Sequence, residues 1–109
     1  MKPLDLIKAK FLSIFPVEEN VREKRLIISK GRCEFSGEEG PLEMHHIITG
    51  LLRRKFFERV FTVRMVNENS HKGSSKGQMI THYRKELNEY LSNYFTDEEI
   101  RTITGRGLK

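Results

Sequence analysis

The sequence predicts an α+β fold, with helices at both ends of a short strand-bearing middle. Three observations carry this. The chain has 109 residues, enough for a single domain with a modest core. Apolar residues near both ends recur at helical spacing, and those between them alternate with period two among Gly- and Pro-containing turns. There are no repeats, low-complexity tracts or interdomain linkers.

Taken in order, "PLDLIKAKFLSIF" places Leu4, Ile7, Phe11 and Ile14 on one helical face and should end before Pro16. A second helix is expected over 18–28, stopped by Gly31. "RCEFSGEEGPLEMHHI" reads as a hairpin turning through Gly37 and "EEGP", with Leu42, Met44, His46 and Ile48 on one side of the returning strand. "LLRRKFFERV" suits a short helix, and "FTVRMV" has the β-branched alternation of a strand. "NENSHKGSSKGQ" reads as a loop or helix start. The residues Ile80, Tyr83, Leu87, Tyr90, Leu91 and Tyr94 make 78–95 a long amphipathic helix. "TDEE" is a capping box for a last helix that "TGRG" closes.

Composition narrows the function classes. No apolar run approaches the ~20 residues of a membrane span, and "MKPLDLIKAKF" carries charges where a secretion signal needs an apolar core. A single cysteine, Cys33, excludes an internal disulfide and a thiolate zinc cage and is expected as a buried apolar residue. A cytoplasmic location is therefore expected. The net charge is +5 and unevenly spread. Residues 50–85 hold nine bases against two acids, or +7, whereas 86–100 hold five acids and no base, or −5. The basic segment flanks the histidines and suggests a polyanionic partner.

The stretch "LEMHHIITG" holds two of the chain's four histidines, His45 and His46. On a strand, adjacent side chains point to opposite faces, so these two imidazoles serve different environments. A third, His71, follows the next expected strand inside "HKGSSKG", whose glycines and lysines suit a phosphate. Phosphodiester hydrolysis needs such a division. A cation must offset the charge on the scissile phosphate, and a separate neutral imidazole must take the proton of the attacking water. One imidazole cannot do both, because coordination uses the lone pair that accepts the proton.

"CEFSG", "LEMHHIITG" and "FTVRMVNENSHKGSSKG" resemble the HNH, or ββα-metal, endonucleases, most of all short phage-type members, over residues 33 to about 85. The resemblance implies a ββα-metal core over 33–85, N-terminal helices over 1–32 and a C-terminal helical extension over 86–109. It implies His46 as general base, with His45 and His71 as ligands of one divalent ion: Mg²⁺, Mn²⁺, Ni²⁺ or Zn²⁺. The family's optional third ligand falls on Ser75, a poor match, which leaves His82 as a substitute. Arg53, Arg54, Lys72 and Lys76 would contact DNA backbone.

The chain also departs from that family. Its central asparagine aligns with Thr62, leaving Thr62, Asn67 and Asn69 as loop-stabilising candidates. The four cysteine positions of its structural zinc knuckle fall on Cys33, Ser36, Asn67 and Ser70, so no structural zinc is expected. The hairpin would then be held by Phe35, Leu42 and Phe61. A second reading stays open: a catalytically degenerate, DNA- or protein-binding phage protein of inhibitor type. The expected partner is DNA, read with little sequence specificity. A homodimer, or a phage packaging or replication partner, is left open.

Overall fold

A computed structural model describes residues 3–105, with side chains from Leu4 onward; the first two residues and 106–109, the end of the expected C-terminal extension, lie outside the described residues. The elements are α1 (Pro3–Ile14), α2 (Val21–Ser29), β1 (Glu43–His46), α3 (Leu51–Phe56), a 3₁₀ turn (Val60–Thr62), β2 (Val63–Val66), α4 (Glu68–Lys72), α5 (Lys76–Leu91) and α6 (Asp97–Thr104). This is an α+β architecture. Among the described residues no helix is long and apolar enough to cross a membrane.

β1 and β2 form an antiparallel pair in the register Glu43 to Val66, Met44 to Met65, His45 to Arg64 and His46 to Val63. This corrects the expected hairpin. The segment after α2 does not pair along β1 but curls on itself, through a bridge between Arg32 and Glu39 and through Gly37 N–H donating to the Cys33 carbonyl. Gly37 sits at φ 80°, where a side chain would be strained. β2 is the better partner because Val63, Met65 and Val66 are all buried, giving β1 apolar cover that the polar 36–40 turn lacks.

Local chemistry sets the other boundaries. Asn20 and Lys30, both in left-handed conformation, delimit α2, which starts later than the sequence suggested. Asn67 Oδ1 accepts from Ser70 N–H at 2.8 Å, a side-chain cap that turns the expected loop into α4. α5 ends at Leu91 rather than at Phe95, which still packs into the core. Thr96 and Glu99 form the expected capping box on α6, and Gly105 (φ 74°) closes it.

The core gathers around Phe11, whose ring meets Phe57 edge-on at 4.8 Å and lies parallel to Phe95 at 6.1 Å. Ile47, Ile48, Met79, Leu87, Ile100 and Ile103 complete it. Arg59, counted by charge as part of the basic segment, is 2% exposed. Its guanidinium donates to the Phe15, Phe56 and Glu58 carbonyls, tying the end of α1 to the turn before β2. Three charge-assisted hydrogen-bond partners offset the cost of burying it. Arg64 is likewise partly buried, with its guanidinium over the Tyr83 ring. Neither belongs to a basic surface.

Candidate active site

β1 divides the histidine pair as alternation requires. His45 faces inward and is 9% exposed; His46 turns the other way and meets the Glu58 carboxylate, Nε2 to Oε1, at 2.7 Å. The cap on α4 brings His71 across β1, so that the His45 and His71 ring centres stand 5.4 Å apart at 73°. Glu43, two residues before His45, approaches His71 Nδ1 at 2.6 Å. Lys72 Nζ lies 3.5 Å from the same carboxylate.

These contacts fix which nitrogens are available. An ionised carboxylate only accepts, so His71 donates from Nδ1 and, as the neutral ring, keeps its lone pair at Nε2. The hydrogen bond from His71, helped by Lys72, holds the Glu43 carboxyl below the usual carboxylate range. His46 donates from Nε2 to Glu58, which leaves its Nδ1 as acceptor. Burial pushes His45 down to about 4, and repulsion from His71, His46, Arg84 and Arg64 adds to the effect. At neutral pH His45 is uncharged, the form that coordinates metals.

The three imidazoles open onto one cleft of about 620 Å³, which Arg54, Lys72 and Lys76 also line. Arg53 does not share it: its Nε donates to the Thr102 carbonyl at 3.4 Å on the far side of α3. His82 is also elsewhere, exposed on α5 with Nε2 3.6 Å from Glu86 and its ring beside Phe35. Thr62 is buried, and its hydroxyl accepts from Arg59 N–H at 2.8 Å while reaching the Phe57 and Arg59 carbonyls. It closes the turn leading into β2. Asn69 is exposed and receives Gly73 N–H at its carbonyl. A Cβ on Gly73 would fall 2.7 Å from that oxygen, so this approach needs glycine.

Glu43 and Glu58 are the residues that sequence reasoning missed. The period-two rule places Glu43 on the face of His45, a signal present in "LEMHH". Glu58, twelve residues beyond His46, gives no such signal. A second cluster forms around Ser70 of α4, from the four positions that the resemblance would align with a zinc knuckle. Ser36 N–H reaches Cys33 Sγ at 3.4 Å, and Cys33 Sγ and Ser70 Oγ are 3.5 Å apart. Asn67 Nδ2 donates to Ser36 Oγ at 3.2 Å.

Among the described residues no three His, Cys, Asp or Glu side chains are arranged to hold a metal ion by themselves. The spacing of the His45 and His71 rings is nevertheless close to that of two imidazoles on one ion. Each nitrogen would bind at about 2.0–2.1 Å with its ring centre roughly 1.2 Å behind, so two rings on a tetrahedral ion have centres about 5 Å apart. The observed separation is 5.4 Å. Comparison with family models, curated proteins and solved structures returns no match.

Proposed function

We propose that this protein is a metal-dependent endonuclease of HNH type that hydrolyses DNA phosphodiester bonds. The observation that carries the reading is the meeting of His45 with His71 beside His46 and its Glu58 partner, at a cleft lined by Arg54, Lys72 and Lys76. The gathering of Cys33, Ser36, Asn67 and Ser70 at the knuckle positions supports it independently.

His45 and His71 would hold one divalent ion, with water and phosphate oxygens completing its shell. The ion would offset phosphate charge and stabilise the leaving oxygen. Glu43 keeps His71 in the tautomer whose Nε2 is free, as carboxylates do for metal-bound histidines. His46 Nδ1 takes a proton from water as the water oxygen bonds to phosphorus and the P–O bond to the leaving oxygen breaks; solvent protonates that oxygen. Glu58 orients His46 through Nε2–H and offsets the imidazolium charge, the part a carboxylate plays beside a catalytic histidine. Arg54, Lys72 and Lys76 receive flanking phosphates.

The test is supercoiled plasmid incubated with Mg²⁺, Mn²⁺, Ni²⁺ or Zn²⁺. Nicked or linear product should form, vanish with EDTA, and be lost in His46→Ala. A folded protein that binds these ions yet cuts no form of DNA would sink the proposal. The two-imidazole donor set also favours a second reading, a degenerate module that binds DNA or a protein without turnover. In that case His45→Ala would leave binding intact.

A further inference from the structure

The cleft has an apolar rim that the chemistry above does not use. Leu51 and Leu52 open α3 and are 71% and 80% exposed. Single exposed leucines are ordinary, but this adjacent pair stands beside the candidate base. Leu51 borders three depressions at once: the histidine cleft, a groove with His46, Arg54, Lys55 and Glu58, and a hollow with Leu4, Lys8 and Leu52. It is therefore a ridge between basic channels. Gly50, at φ 91°, turns the chain sharply from the histidine strand onto this ridge.

We propose that Leu51 is a wedge that enters a base step of duplex DNA from the minor groove, with Leu52 against the neighbouring sugar edge. This rests on the nuclease reading for its substrate. Cations on either side of the ridge, Lys72 and Lys76 across the cleft and Lys55 and Lys8 beyond it, match the phosphates that border a groove. An apolar tip between such cations is the arrangement by which proteins partly unstack and kink a duplex. Consecutive helical residues splay about 100° apart, so one leucine enters the stack and the other lies beside it. The kink would bring the scissile phosphate down to the imidazoles and select steps that open readily.

The test uses His46→Ala, which keeps the substrate uncut, and a duplex carrying 2-aminopurine. Saturating protein should raise the fluorescence several-fold, and adding Leu51→Ala should abolish the rise while the complex still forms. In the protein with His46 intact, Leu51→Ala should slow cutting of intact duplex at least tenfold and leave a duplex with a three-base bubble nearly unaffected. Circular dichroism checks that the fold is kept. Unchanged fluorescence at saturation, equal slowing on both substrates, or a dimer that dissociates in Leu51→Ala would overturn the wedge. Fluorescence that rises in a protein that never cuts would keep the wedge and remove the nuclease reading.

Discussion

Two clusters that meet at the short helix α4 differ in what they leave unused. On one side of α4, Ser70 joins Cys33, Ser36 and Asn67, and the polar atoms of the set bond to one another. Burial pushes the Cys33 thiol up, but hydrogen bonds from Ser36, Asn67 and Ser70 outweigh it and bring it down to about 7. Cys33 and Ser70 are each 1% exposed, while Ser36 and Asn67 close the set from the surface side. On the other side, the next residue, His71, meets His45, and carboxylates take one nitrogen of His71 and one of His46. All three imidazoles line one cleft. Polar groups that satisfy one another hold a fold together; polar groups held by one partner and left with a free lone pair are available for chemistry.

The difference can be broken from either side. The largest effect is expected at His46: replacement by alanine should lower plasmid cutting by about 10²–10⁴-fold with little movement of the urea midpoint, since the ring is half-buried and contacts the partly exposed Glu58 carboxylate. Next comes Glu58→Gln, which keeps the shape but removes the counter-charge of the imidazolium. Cutting should fall about tenfold or more.

Acid should strike the cleft through His45. Its folded value of about 4 lies below the ordinary 6.5, so the unfolded chain binds the extra proton first and stability rises with pH between those values. Stability present above pH 6.5 is lost as pH falls towards 4, on the order of 2–3 kcal/mol. His45→Phe should remove this slope from urea melts collected at successive pH values; an unchanged slope would place it elsewhere.

The smallest effect belongs to the closed cluster. Asn67→Ala removes the α4 cap and the Ser36 contact and should cost about 1 kcal/mol, with cutting reduced only as far as His71 shifts. A gain-of-function variant sharpens the contrast. Ser36→Cys, Asn67→Cys and Ser70→Cys together with Cys33 should create a four-thiolate site that binds one zinc and raises the melting temperature in zinc but not in EDTA. No zinc-dependent shift would mean that the four positions do not converge as described.

Much of this protein was legible in its sequence wherever the information was local. The Leu4–Ile14 and Ile80–Leu91 stripes, the Thr96–Glu99 capping box and the opposite facing of His45 and His46 follow from helical and strand periods alone. What periodicity does not carry is which distant segments meet. β1 pairs with 63–66 rather than with the nearer 33–36 because pairing is decided by which strand buries more apolar surface, a sum over the whole core. The same sum buries Arg59, turns Arg53 away from the cleft while Arg54 lines it, leaves His82 outside, and delivers Glu58 to His46. Charge and residue type identify candidates, but only the packed tertiary structure decides which of them share one small volume.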